Sequence, residues 1–189
     1  MRAVLGLMVV VMAACATTPP PPAPTQRELL AKALNAFTAA NPAAGAVPTL
    51  WLTNEDDTDC DRPEGIPRAV YVGHALDGLA YEVFANALVS TGWAHVLEAH
   101  RHNYARDFKP ETHKTVLSRP DTSTTVEDLC FLDEAKKRNA DRLLVYQVVG
   151  ADTGSVLVHF RLSDARSGQI LSSRTLQAGA SDVVDRSGR

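Results

Sequence analysis

The sequence has no excess of basic charge, no apolar run long enough to span a bilayer and no recognisable catalytic signature. Lys and Arg number 19 against 22 Asp and Glu, a formal net charge of -3. No positive field therefore draws the chain to nucleic acid. The stretch from Ala3 to Met12 is almost wholly apolar but only ten residues long, about half of the ~20 that a spanning helix needs. Residues 15–189 contain no G-x-S-x-G, H-E-x-x-H, P-loop or G-x-G-x-x-G motif, so the familiar routes to nucleophilic, zincin-type or nucleotide chemistry have no sequence basis. Cysteine is scarce, with Cys15, Cys60 and Cys130 the full set. What is present is enough apolar material for one domain with a core, 45% of residues. At 22% charged residues the chain is also no polyelectrolyte.

The amino terminus reads as an address. Met1-Arg2 gives a positive start, the apolar stretch follows, and Ala13-Ala14-Cys15 closes it, the layout of a signal peptide. Cys15 after two alanines resembles a bacterial lipobox, with Met12 where Leu is usual. The resemblance implies cleavage before Cys15, diacylglycerol on its thiol and acylation of the new amino group. Acyl chains contribute about 0.8 kcal/mol per buried CH₂, so several of them hold permanently. An ordinary signal peptide cut nearby, with Cys15 incidental, is the alternative. Residue 16 is Ala where Asp resembles an inner-membrane retention signal, which points to the outer membrane. Residues 15–25 include Pro19 to Pro22 and Pro24. That composition favours an extended tether at ~3.1 Å per residue, reaching roughly 30 Å.

The remaining chain alternates helical and strand periodicities. A helix is expected over 26–40, with Leu29, Leu30, Ala33, Leu34 and Phe37 on one face and a Thr25/Glu28 capping box. Strands are expected over 47–53 and 93–98, and a helix over 74–90 with Leu76, Leu79, Ala80, Val83, Phe84, Ala87 and Leu88 inward. In that helix Asp77 and Glu82 are expected to fall away from the apolar face, and Gly92 is placed to end it. A third helix is expected over 126–139, with Leu129, Leu132, Ala135 and Lys136 spaced to face a sheet. Three runs at 140–149, 155–162 and 169–175, joined by short Gly-containing turns, read as a β-meander. Beyond Gln177 the Gly/Ser/Asp-rich end is expected to fray. The expectation is one α/β domain: a single mixed sheet of about five strands ending in a C-terminal β-meander, with two or three helices packed on it. Its domains are a leader at 1–14, a lipidated tether at 15–25, a domain at 26–178 and a flexible tail at 179–189.

Two passages carry a family resemblance. Gly92-Trp93-Ala94-His95-Val96-Leu97-Glu98 follows the Leu76/Leu79 helix. Arg161-Leu162-Ser163-Asp164-Ala165-Arg166-Ser167-Gly168-Gln169-Ile170 follows a strand opened by Ala140-Asp141. Together they resemble the curli-secretion (CsgG-like) lipoprotein group, whose related folds include the outer-membrane activators of penicillin-binding proteins, the flagellar lipoprotein FlgO and the TolB amino-terminal domain. The resemblance covers residues 47–177 and implies the architecture more than the role.

Candidate chemistry is sparse. The acids between residues 54 and 67 fail the EF-hand spacing from every starting Asp and read as a solvated loop. His100 and His102, with His95 and His113 near in sequence, are a candidate imidazole cluster for a metal-dependent hydrolase; exposed loop histidines are the bland alternative. In an oxidising periplasm Cys60 and Cys130, left over once Cys15 is lipidated, are expected to form one disulfide. The leading expectation is a non-enzymatic outer-membrane lipoprotein, facing the periplasm, with no cofactor and no metal. It would bind an envelope protein or a peptidoglycan-associated complex through the 54–67 and 99–125 loops. A structural subunit of a lipoprotein homo-oligomer is a further alternative.

Overall fold

The computed structural model describes residues 22–43, 45–55, 76–97, 127, 129–152 and 154–187. They form six strands and three helices in the order α1 (Gln26–Ala40), β1 (Thr49–Asn54), α2 (Asp77–Ser90), β2 (His95–Leu97), α3 (Leu129–Lys137), β3 (Arg142–Ala151), β4 (Ser155–Asp164), β5 (Ile170–Gly179) and β6 (Val183–Asp185). The strands make one mixed sheet in the order β2-β1-β3-β4-β5-β6. β1 runs parallel to both neighbours, and β3 to β6 are an antiparallel meander. No helix among the described residues is long and apolar enough to cross a membrane.

Local sequence explains where each helix starts and stops. Thr25 Oγ1 accepts from the Glu28 amide at 3.3 Å and the Glu28 carboxylate accepts from the Thr25 amide at 2.6 Å, so the capping box satisfies two of the donors left over at the start of α1. α2 and α3 end alike. Gly92 has φ +68 and Asn139 has φ +53, and each is followed by the paired backbone bonds of a Schellman turn. Trp93 N donates to Leu88 O and Ala140 N to Ala135 O. Both turns aim the chain straight at the next strand.

Two crossovers leave and return along the sheet in opposite directions, β1 to β2 and then β2 back past β1 to β3. Connections that keep the right hand must then change face. Accordingly α1 and α2 pack on one side and α3 on the other. Leu50, Leu52, Leu144, Tyr146, Val156, Val158 and Phe160 meet α1 and α2, whereas Trp51, Leu143 and Val145 meet Phe131 and Ala135 of α3. The centre of the larger core is aromatic. Phe160 stacks on Phe37 with centroids 4.9 Å apart, and Phe84 stands edge-on to Tyr146 at 5.0 Å. The buried Tyr146 hydroxyl donates to Asp77 O at 3.0 Å, so its polar tip is satisfied within the core.

The α/β architecture matches the expected fold class, with three differences. The sheet has a sixth strand. β6 lies in the stretch read as a fraying tail. Residues 179–182 are instead a tight turn, closed by Gly179 N donating to Asp182 O at 2.9 Å and fastened to α1 by Lys32 Nζ donating to Gly179 O and Ala180 O. In α3 the inward positions are Phe131, Leu132 and Ala135. Leu129 is 74% exposed and Lys136 points to solvent, because the buried face is centred on Phe131, Leu132 and Ala135 and both positions lie roughly 100° round the helix from that centre. Asp77 is buried and not turned outward; it occupies the first turn of α2, where the helix dipole favours a carboxylate.

Candidate functional site

Where β1 and β3 begin, the α1–β1 connection, Trp93 and the β4–β5 turn enclose a groove of about 640 Å³. Its lining combines apolar Pro42, Val47, Pro48, Leu162 and Leu171 with charged Asp141, Arg142, Asp164 and Arg166. Val47 and Leu171 are 40% and 46% exposed, so apolar surface faces the opening. Trp93 is held in place by its indole N–H donating to Asn41 O at 2.9 Å.

The carboxylates of the groove are committed to structure. Asp141 Oδ2 accepts from the Thr49 hydroxyl at 2.7 Å and the Thr49 amide at 3.0 Å, and Oδ1 lies 3.4 Å from Arg166 Nη2. These bonds, led by the Thr49 hydroxyl, hold its carboxyl below the ordinary range. Asp164 pairs with Arg142 and accepts from the amides of Arg166 and Ser167 at 3.0 and 2.9 Å. The Ser167 amide is the main cause of its lowered pKa. Both groups are fixed anions. None of the described residues that line the groove carries an imidazole, thiol or aliphatic hydroxyl; the lining offers a ligand contact surface and charge.

The α3 face of the sheet holds a second polar centre, and this one is buried. Arg161 on β4 reaches Glu127 with Nε at 3.0 and 2.9 Å from the two carboxylate oxygens and Nη2 at 2.9 Å. Its Nη1 reaches Glu55 Oε1 at 3.1 Å. Ser163 Oγ donates to Glu127 at 2.8 Å, and Phe131 lies under the guanidinium, 5.8 Å from ring centroid to Cζ. Burial alone would lower the Arg161 pKa; the hydrogen bonds to Glu127 and the Glu55 charge outweigh it and raise it. His159, two residues along the same face, is 1% exposed and has Nδ1 3.0 Å from Thr175 Oγ1. Burial, then the Arg161 charge, pushes its pKa down to about 4, so the imidazole is neutral at pH 7.

Few of the residues singled out in sequence meet in this geometry. His95 is on β2, exposed, and Cys130 is in the first turn of α3, exposed. Cys15, Cys60, His100, His102, His113, the 54–67 loop beyond Glu55 and the whole 99–125 loop lie outside the described residues. No group of three His, Cys, Asp or Glu able to hold a metal occurs among the described residues.

No family model matches the chain, and no curated protein matches it. Solved structures do. The C-terminal domain of LpoB from Salmonella enterica is 13% identical over 80% of this chain and 96% of that one, with a TM-score of 0.46. The Escherichia coli LpoB solution structure is 15% identical over 98% of this chain and 82% of that one, with a TM-score of 0.45. Lipoprotein GNA1162 from Neisseria meningitidis is 15% identical over 70% and 80%, with a TM-score of 0.36. The curli-secretion, FlgO and TolB parts of the resemblance are not shown by these likenesses.

The structure also gives the Arg-Leu-x-Asp-x-x-x-Gly passage a physical meaning. Arg161 enters the buried ion cluster, Leu162 points to the α1/α2 core, and Asp164 closes the turn through the amides of residues 166 and 167. Gly168 has φ +76, and a Cβ there would stand 2.6 Å from Leu132 Cδ1. These are determinants of fold. Sequence reading missed Glu127 and Glu55 as partners of Arg161. The available signal was the alternation along β4: His159, Arg161 and Ser163 share one face, a pattern that ordinarily marks a solvated side of an antiparallel sheet.

Proposed function

We propose that this protein is a lipid-anchored, non-enzymatic binding or assembly factor on the periplasmic face of the outer membrane, serving an envelope protein or a peptidoglycan-associated complex. The observation that carries the reading is the groove between Val47, Trp93 and Leu171, whose acids are tied in structural bonds and whose Val47 and Leu171 side chains are exposed. Such a surface suits contact with a protein segment better than proton transfer. The Met1–Cys15 sequence supports the anchor, and the Pro-rich stretch after it supports a standoff from the membrane. The pairing of Cys60 with Cys130 is part of the proposal and is supported by their being the two cysteines left for an oxidising periplasm once Cys15 is lipidated.

Photo-crosslinking side chains placed at Val47, Leu171 and, as an off-groove control, Val89 test it in intact envelopes. The same partner captured from both groove positions and not from Val89 is expected. Equal capture from all three positions, or stoichiometric zinc in the purified protein, overturns the reading. Labelling with a palmitate analogue should be lost in Cys15→Ala.

A further inference from the structure

Arg161 lies inside the α3 face and joins two carboxylates from different parts of the chain. Glu55 directly follows β1, and Glu127 lies two residues before α3. One guanidinium on β4 therefore holds the exit from β1 through Nη1, at 3.1 Å, and the approach to α3 through Nε and Nη2, at 2.9–3.0 Å. Glu127 is fixed from two further directions, by Ser163 Oγ at 2.8 Å and by its own amide donating to Gly168 O at 2.8 Å.

A buried arginine with two carboxylates is no requirement for stability. Apolar residues of similar volume hold such sites as well or better, because removing the charges from water offsets their attraction. Leu143 and Val145 on the same face show that this one accepts apolar packing. What apolar residues lack is direction: the guanidinium fork binds its partners only at set angles in its own plane. We propose that Arg161 is a positioning residue, a clasp that sets where the chain leaves β1 and where it arrives at α3. It thereby fixes one root of each flanking connection, that of 56–75 at β1 and that of 98–126 at α3. The clasp stands on these contacts alone and holds whether or not those connections bind a partner.

Hydrogen–deuterium exchange on the full chain tests it, using Arg161→Lys, Glu55→Ala and the core variant Phe160→Ala. A lysine keeps the charge but cannot span both carboxylates. Arg161→Lys should speed exchange in the peptides containing Glu55 and Glu127 at least tenfold more than in α1. Glu55→Ala, which leaves no acceptor for Nη1, should do so at the β1 exit only. Phe160→Ala should speed α1 and the sheet together. If Arg161→Lys instead raises exchange everywhere alike, as Phe160→Ala is expected to, the residue merely stabilises the fold and the clasp is wrong. Because Glu55→Ala removes only the outer arm, it decides the matter even if the arginine variant folds poorly: an unchanged β1 exit overturns the proposal.

Discussion

The two faces of the sheet are built on different principles. The α1/α2 face is closed by apolar contact, with Phe37, Phe84, Tyr146 and Phe160 in one aromatic cluster and Leu and Val around them. The α3 face is apolar along β1 and β3, at Trp51, Leu143 and Val145 with Phe131 against them; beside these it carries Gln147, His159, Arg161 and Ser163, all buried. Apolar packing is non-directional and tolerates repacking. A buried polar set is held by angles and partner counts, so the loss of one member strands the rest. One face gives cohesion, and the other gives register between distant pieces of chain.

That contrast predicts two large effects of similar size that differ in how they can be rescued. Arg161→Met should cost about 3–5 kcal/mol by leaving Glu127 buried without its counter-charge. Adding Glu127→Gln, which keeps an acceptor for Ser163, should restore at least half of that loss. Phe160→Ala should also cost about 3–5 kcal/mol through the cavity it opens among three rings, and no charge change elsewhere should recover it. Urea denaturation measures both. An Arg161→Met loss that the second substitution leaves untouched would mean the α3 face is held by packing after all.

The next effect is a pH dependence confined to the polar face. The folded pKa of His159 is depressed to about 4 from 6.5, so the fold favours the neutral ring. Its contribution is complete above pH 6.5 and falls as pH drops towards 4, where the loss levels off at about 3 kcal/mol. Arg161 and Glu127 face the ring electrostatically and pull in opposite directions, and Thr175 and Ser173 bond it. Denaturation midpoints from pH 7 to pH 4 should fall less steeply in His159→Gln than in the parent chain. Parallel curves would show that the ring does not carry the effect.

How much of this was legible in the sequence follows the same division. Helix α1 was read to the residue, because a capping box and an i, i+3, i+4 apolar stripe are local signals. The meander was read because its turns carry Gly and its strands alternate. β6 was missed because only three residues pair, and what fastens the 179–182 turn to the rest of the fold is a lysine on α1, far away in sequence. The Arg161 cluster was missed for a related reason. Its members come from β4, from the residue after β1 and from the approach to α3, and nothing local in 55, 127 or 161 announces the others. The groove is likewise assembled from four separate pieces of chain, so Val47 and Leu171 read as ordinary strand residues until the fold brings them together.

The smallest effect separates backbone strain from the seating of α3. Gly92 and Gly168 both have positive φ, +68 and +76, but a Cβ at Gly92 meets nothing within 4 Å whereas one at Gly168 meets Leu132 Cδ1 at 2.6 Å. Alanine at Gly92 should therefore cost only the conformational term, about 1 kcal/mol. Alanine at Gly168 should add the displacement of a buried leucine that anchors α3, for a total of about 2–3 kcal/mol. The Gly168 carbonyl also accepts from the Glu127 amide, so a shifted turn should loosen the ion cluster as well. Gly168→Ala should then lower the denaturation midpoint by more than Gly92→Ala, and a double variant with Arg161→Met should lose less than the sum of the two single losses. Strict additivity would show that the turn and the clasp are independent, leaving the register of the α3 face to Arg161 alone.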